Sequence, residues 1–306
     1  MTIHNQPRPP LEMNILKTLN FRMQLNNDQQ LHYHNYKKGY LGERKLANLL
    51  NKSLSSSPIL LYDLLFEVNN TEFQIDCLLI FSNKIFLLEI KNYEGNFYFQ
   101  NNNWYIVETK KEIRSPLQQL KRSELLLNEQ LQKIECTIQI EPYIIFVNPE
   151  FTLYQSPINP HIIFPSQINQ FIKKLNNEPS TLNSFHTNLA TRLTNLHIKN
   201  STYKRLPAYK YDHLKKGILC KHCSEFLATI VNVSFVCKNC GHREKVRPAL
   251  LRCVKEYHLL FPTEKMTTNS IYEWSNKLVS KKAIRRTLQT YLSQKGNGKS
   301  IYYVFD

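Results

Sequence analysis

Glycine is scarce in this chain, with 7 residues in 306. Asn, Lys, Ile, Leu and Tyr are correspondingly abundant, which reads as nucleotide bias of the genome and not as function. Long apolar runs are absent: nothing approaches the roughly 20 residues that cross a bilayer as a helix. The stretch from Met1 to Pro10 is polar and carries proline, without the apolar core of a signal peptide, so a soluble, cytoplasmic protein is expected. Triplets such as Asn200-Ser201-Thr202 are then chance matches to a glycosylation signal. Internal repeats and long low-complexity tracts are also missing. Gly298-Lys299-Ser300 invites comparison with a phosphate-binding loop, but Ser293 stands where that pattern requires its first glycine, and no strand-to-helix context surrounds it.

Acidic residues are few where basic ones are many. From Lys199 to the end there are 21 Lys/Arg against 7 Asp/Glu, a net of +14, out of a formal +16 for the whole chain. Met1 to Ile198 is nearly balanced. So concentrated an excess points to a polyanionic partner, because cations that neutralise phosphates release condensed counterions. The competing reading is a solvated basic surface that serves solubility.

The length allows two domains, or one domain with smaller modules. Leu11 to Gln30 is an indistinct lead-in. Gly39 to Leu54 predicts a helix with Leu46, Leu49, Leu50 and Leu54 on its apolar face, broken by Ser55-Ser56-Ser57-Pro58. Three strands are expected over Ile59–Val68, Glu72–Phe81 and Lys84–Asn92, with turns at Asn69-Asn70 and Ser82-Asn83. An aromatic hairpin over Gly95–Glu108 and a helix over Pro116–Ile134 follow, the proline sitting near the helix start. Ile138–Val147 predicts another strand, which makes the order αβββαβ. Helices over Pro165–Leu175 and Leu182–Leu196 flank it, before a Tyr/Lys-rich connector from Asn200 to Leu214.

Four of the seven cysteines form two CxxC pairs, Cys220/Cys223 and Cys237/Cys240, separated by thirteen residues. Each tight turn can present two thiolates to one ion, and four thiolates satisfy tetrahedral Zn2+. A redox CxxC usually occurs once, beside a βαβ pattern, and disulfides are disfavoured in a reducing cytoplasm. A structural zinc ribbon over 217–246 is therefore expected, with all four positions filled and no open site for catalysis. The β-prone run Leu227–Val236 would bring the second turn back over the first. His222 and His242 are spectators on this reading. Cys77, Cys136 and Cys253 lie in apolar settings and are expected to be core thiols.

Charges inside apolar strands mark a second site. Asp76 stands in Phe73–Phe81, and thirteen residues later Glu89 and Lys91 share one face of the next strand. Two carboxylates suit a hard divalent ion such as Mg2+ or Mn2+, which polarises a phosphate and acidifies a bound water. A lysine beside them can orient that water or stabilise charge on the phosphoryl group. The competing reading is a strand-end salt bridge; buried strands, however, seldom carry charge without pairing or purpose.

Gly42-Glu43, Gln74-Ile75-Asp76, Leu88-Glu89-Ile90-Lys91-Asn92, Gly95, Trp104 and Pro116-Leu117-Gln118-Gln119 together resemble the motif series of the NERD (nuclease-related) domain. That family is similar to the PD-(D/E)xK restriction-endonuclease-like superfamily, whose core has the αβββαβ order. The resemblance covers about Lys37 to Val147. It implies Asp76 and Glu89 as ligands of a catalytic Mg2+ or Mn2+ and Lys91 as the catalytic lysine, with Glu43 and Gln119 as further site residues. Read alone, Glu43 could equally be a solvated helix charge or a partner of Arg44 or Lys45, and Gln119 a helix-surface residue.

After the cysteines, a helix is expected over Ala249–Leu260 and two more near Thr268–Leu278 and Ser280–Leu292. The last presents Lys281, Lys282, Arg285 and Arg286, and a following hairpin would add Lys295 and Lys299. Helix, turn, basic helix and hairpin resemble a winged helix-turn-helix that reads a groove, with a small helical bundle as the competing reading.

The expected fold is thus an α/β (α+β) restriction-endonuclease-like core, then a small zinc ribbon, then a helical C-terminal module with a winged helix as its candidate form. The boundaries are 1–36 lead-in, 37–150 nuclease-like domain, 151–198 flanking helices, 199–216 basic linker, 217–246 ribbon and 247–306 basic module. The expected function is a divalent-metal-dependent nuclease that binds nucleic acid, DNA before RNA. The alternatives are a non-catalytic nucleic-acid binder with a decayed nuclease fold and a protein-binding zinc ribbon.

Overall fold

The computed structural model describes residues 6–198 and 206–305, without the side chain of Lys299. Lys199–Arg205, part of the expected linker, and the side chain of Lys299, expected to meet nucleic acid, lie outside the described residues. The chain divides into two compact units: Met1–Pro10 with His34–Lys204, and Leu11–Tyr33 with Arg205–Asp306.

Helices α1 (Leu11–Arg22) and α2 (Asn27–Ser53) come first. The lead-in is therefore helical. Helix α2 starts twelve residues before the expected Gly39, because Asn26 and Gln29 cap it reciprocally: Asn26 Oδ1 accepts from the Gln29 N–H and Gln29 Oε1 from the Asn26 N–H. The division between the units falls within α2. Gly42, Leu46, Ala47 and Leu50 form its buried stripe, at helical spacing.

In the first unit, β1 (Ile59–Val68), β2 (Thr71–Ile80) and β3 (Lys84–Lys91) follow as an antiparallel meander. Then come β4 (Gly95–Gln100), β5 (Asn103–Ile106), β6 (Glu112–Ile113), α3 (Pro116–Lys133), β7 (Gln139–Phe146), β8 (Phe151–Tyr154) and β9 (Ile162–Ile163). Helices α4 (Ile168–Asn176) and α5 (Ser184–Leu196) close it. The main sheet has the order β1-β2-β3-β7-β9, with β7 parallel to β3 and β9 parallel to β7. Strand β3 reads apolar on both faces because both are covered. Ile85 and Leu87 pack with α3 and α5, and Phe86, Leu88 and Ile90 pack with α2 and α4. A second sheet runs β6-β5-β4-β8. Strands β8 and β9 were not expected from sequence.

In the second unit, β10 (Thr229–Val231), β11 (Ser234–Val236) and β12 (Arg243–Lys245) form a small antiparallel sheet. The β-prone run Leu227–Val236 folds on itself at Asn232-Val233, both with positive φ, so that β10 and β11 pair as a hairpin. Helices α6 (Val246–Leu260), α7 (Thr268–Trp274) and α8 (Lys281–Tyr291) follow, then the β13 (Ser293–Lys295) and β14 (Tyr302–Val304) hairpin. One apolar core unites Ile15 and Leu19 of α1, Cys220 and Cys237, and the inner faces of α6, α7 and α8. Cys77, Cys136 and Cys253 are buried free thiols. Among the described residues no helix is long and apolar enough to cross a membrane.

Candidate functional site

Asp76, Glu89, Lys91, Glu43 and Gln119 come from four elements, β2, β3, α2 and α3, and all line one cavity of about 610 Å3. Each arrives by a local device. Ser115 caps α3 and Pro116 occupies its first turn, which sets Gln119 at the helix mouth. Glu43 is carried by the close approach of α2 to the end of β3. There Asn92 Nδ2 donates to the Lys38 carbonyl at 2.8 Å. A Cβ on Gly42 would lie 2.6 Å from Asn92 Cβ, so only glycine permits this spacing.

The polar contacts are specific. Lys91 Nζ donates to Glu89 Oε1 at 2.7 Å and to Gln119 Oε1 at 3.0 Å. Gln119 Nε2 returns to Glu89 Oε1 at 2.5 Å. The Ile90 N–H donates to Asp76 Oδ2 at 2.7 Å, where the β2–β3 ladder ends. Glu89 is 4% exposed.

Strand register reveals a residue that sequence reasoning missed. Cys77 pairs with Leu88, so Asp76 stands opposite Glu89; Tyr62 pairs with Cys77 and Leu64 with Ile75, so Asp63 stands opposite Asp76. Three carboxylates therefore form a row across three neighbouring strands. At that row β1 and β2 both switch faces. Ile59 and Leu61, then Leu64 and Phe66, turn toward the same core, which breaks the two-residue alternation. Asp63 takes up the switch with φ of 53° and accepts from Gln74 Nε2 at 2.8 Å. The available signal was a carboxylate, Asp63, in the apolar middle of Ile59–Val68, a run whose other charge, Glu67, stands near its end.

Crowding of like charge sets the protonation. Desolvation first, then Asp63 and Glu89, push the Glu43 carboxyl up to about 7, against the opposing pull of Lys91. Burial, Glu89 and Glu43 hold Asp76 well above the usual carboxylate range, opposed by Lys91 and the Ile90 N–H. Burial alone would lower Lys91, but Glu89, Tyr93 and Asp76 outweigh it and its ammonium is held above its ordinary value. A divalent cation would relieve this repulsion, and the hard oxygen donors suit Mg2+ or Mn2+. The carboxylates do not form a closed cage: among the described residues only the cysteines bring three or more ligand atoms within 4.8 Å of one another.

In the second unit the Sγ atoms of Cys220, Cys223, Cys237 and Cys240 all lie within 4.8 Å of one another. Cys220 and Cys240 are 3.7 Å apart and Cys223 and Cys237 3.5 Å. Zn–S bonds of about 2.3 Å in a tetrahedron require edges near ~3.8 Å, so the four thiols fit a metal such as zinc. His222 and His242 stay outside the cluster.

Lys281, Lys282, Arg285 and Arg286 lie on the exposed face of α8, opposite buried Ile284, Thr287 and Leu288. All four line a second cleft of about 810 Å3. Lys295 is exposed in β13 and is not among that cleft's walls.

Residues 38–147 match the model of the NERD family, the nuclease-related domain. The resemblance read from the motifs thus holds over that segment. No curated protein matches the chain. Among solved structures, a crystal structure of protein VC1899 from Vibrio cholerae is 11% identical, with a TM-score of 0.26, over 50% of this chain and 36% of that one. The chain therefore spans about a third of that protein's length, and a likeness so low carries no argument about fold or function.

Proposed function

We propose that this chain is a divalent-metal-dependent nuclease acting on DNA, with a restriction-endonuclease-like core in its first unit and a basic, zinc-ribbon-bearing second unit that holds the substrate. The observation that carries the reading is the convergence of Asp76, Glu89, Lys91, Glu43 and Gln119 on one cavity, with Lys91 bonded to both Glu89 and Gln119. Asp76 and Glu89 would hold the Mg2+ or Mn2+ ion, which supplies phosphate polarisation and a more acidic water when bound. Lys91, kept charged by its neighbours, orients the attacking water or offsets charge on the phosphoryl oxygens. Glu43, held near neutrality, can take up or release a proton in the working range. Gln119 holds the lysine and Glu89 in one arrangement. Lys281, Lys282, Arg285, Arg286, Lys295 and Lys299 supply backbone contacts to the nucleic acid, in a winged-helix-like module.

A nuclease assay with Mg2+ or Mn2+ tests the site. Asp76→Ala and Lys91→Ala should each lower the rate at least ~100-fold, with unchanged DNA binding for Lys91→Ala. Equal activity in wild type and variants would remove catalysis from this cavity. The second reading is a nucleic-acid binder without catalysis. It is distinguished by wild-type protein that binds DNA in a salt-dependent way and cleaves nothing under either metal.

A further inference from the structure

Next to the cationic cleft of α8, along α7, lies a pocket of different chemistry. It measures about 630 Å3 and is lined by Tyr209, Tyr211, Tyr257 and Phe261, with one cation, Lys210, and two carboxylates, Glu264 and Glu273. Asn269 lines both this pocket and the cationic cleft, so the two adjoin. We infer that this pocket takes one unpaired nucleobase from a strand whose phosphates lie along α8, so the second unit engages single-stranded nucleic acid. The inference rests on the reading of the second unit as a holder of nucleic acid.

The walls are prebuilt. Tyr211 meets Phe261 edge-on with ring centroids 5.6 Å apart, and it leans on Trp274 at 5.8 Å. Tyr209 meets Phe261 at 6.0 Å, and its hydroxyl is tied to the Leu260 carbonyl at 2.9 Å. Tyr209, Tyr211 and Phe261 are partly exposed, Tyr257 is buried, and Lys216 lies 4.6 Å over the Tyr211 ring, a place a base would take from it. Rings held in this way lose little entropy when a base stacks on them, and any base offers a π-face to do so. The pocket is sized for a nucleotide and not for a duplex, so a paired base would first have to be splayed out.

Charge divides the work between the two clefts. Among the described residues none of Lys281, Lys282, Arg285 or Arg286 makes an ion pair with a carboxylate. The four remain available to phosphates. Glu264 and Glu273 repel a phosphate and accept hydrogen bonds from an exocyclic amino group, which thymine and uracil lack, so an amino-bearing base is preferred. Glu273 has only an exposed pairing with Lys277 at 3.5 Å, which competes weakly. An aromatic pocket with carboxylates could in principle hold a cationic side chain instead. A cationic peptide, however, would have to approach past four unneutralised cations, which favours the nucleic acid.

The test uses the full, zinc-loaded chain. Binding of a mixed-sequence single strand and of a blunt duplex is followed by fluorescence anisotropy over a salt series. Tyr211→Ala and Tyr209→Leu should each weaken single-strand binding roughly 5- to 100-fold, leaving duplex binding and the salt slope unchanged. Arg285→Ala should weaken both and lower the slope. Because Tyr211 also packs on Trp274, a wild-type measurement accompanies the variants: a strand carrying 5-iodocytosine should photocrosslink to Tyr209 or Tyr211, mapped by mass spectrometry. Crosslinks confined to other residues overturn the inference, as does equal weakening of both substrates. So does a trimethyl-lysine peptide that occupies the pocket without weakening strand binding. In those cases salt-dependent nucleic-acid binding still stands. A wild type that binds neither strand nor duplex removes the broader reading and the inference with it.

Discussion

A carboxylate in the left-handed backbone region of an apolar strand is unfavourable on two counts, as a strained backbone and as a half-buried charge, and Asp63 is both. Its consequence is read at Glu43, whose carboxyl is raised to about 7 by desolvation first and then by Asp63. A raised carboxyl means that the folded state binds more protons than the unfolded one between pH 4.5 and about 7. Stability is therefore full below that window and falls as pH rises through it. Asp63→Asn keeps an acceptor for Gln74 and a residue tolerant of positive φ, but removes the charge. The variant should lose less melting temperature between pH 5 and pH 8 than wild type, as followed by circular dichroism. Identical slopes would mean that Asp63 does not act on Glu43. Asp76, Glu89 and Lys91 were legible because charges stand inside consecutive apolar strands, Asp76 in the middle of β2 and Glu89 and Lys91 at the end of β3, within the motif series they resemble. Asp63 was not, because its place beside them depends on strand register and on a face switch that alternation cannot foretell.

At the scale of elements, the site depends on how closely α2 approaches β3. Gly42 and Gly39 lie one turn apart on that helix and predict opposite outcomes for the same substitution. A methyl at Gly42 meets Asn92 Cβ at 2.6 Å, whereas a methyl at Gly39 meets nothing within 4 Å. Gly42→Ala should destabilise by about 1–3 kcal/mol through overpacking, and should cost activity by moving Glu43. Gly39→Ala should stabilise by about 0.5–1 kcal/mol, as expected inside a helix. Urea titrations of both variants give the comparison, and shifts of the same sign would refute it. The long elements, β1, β2, β3, α3 and β7, could be read from apolar pattern and turn chemistry. Strands β8 and β9 could not, since four and two residues carry no period and are fixed by parallel pairing to β4 and β7. The true start of α2 was hidden by its polar first turns, Asn27 to Tyr36, which show no apolar stripe.

Over the whole molecule, stability divides by core and not by motif. The sequence separated a ribbon over 217–246 from a helical module over 247–306. Yet Cys220 and Cys237, each 2% exposed, share one core with Leu250, Val254, Trp274 and Leu288. Arg22 of α1 ties the same core together. Fully buried, it donates to the carbonyls of Lys215 and Gly217, pairs with Glu256 at 2.6 Å and stacks 4.2 Å from Trp274. A structural zinc on four thiolates contributes on the order of 10–16 kcal/mol at neutral pH, comparable with the entire stability of a domain, about 5–15 kcal/mol. Removing it should therefore unfold α6, α7 and α8 along with the cysteine turns. The first unit, with its own two-faced sheet, should keep its transition. Calorimetry should show two transitions with zinc. A strong chelator or Cys223→Ser should abolish one of them, with the Trp274 fluorescence change moving with the one that is lost. If the chelator removes zinc and both transitions remain, the cysteines do not hold this core. If instead only a small, local unfolding follows, the ribbon is an independent module after all, and the boundary drawn at residue 246 from sequence is the better description.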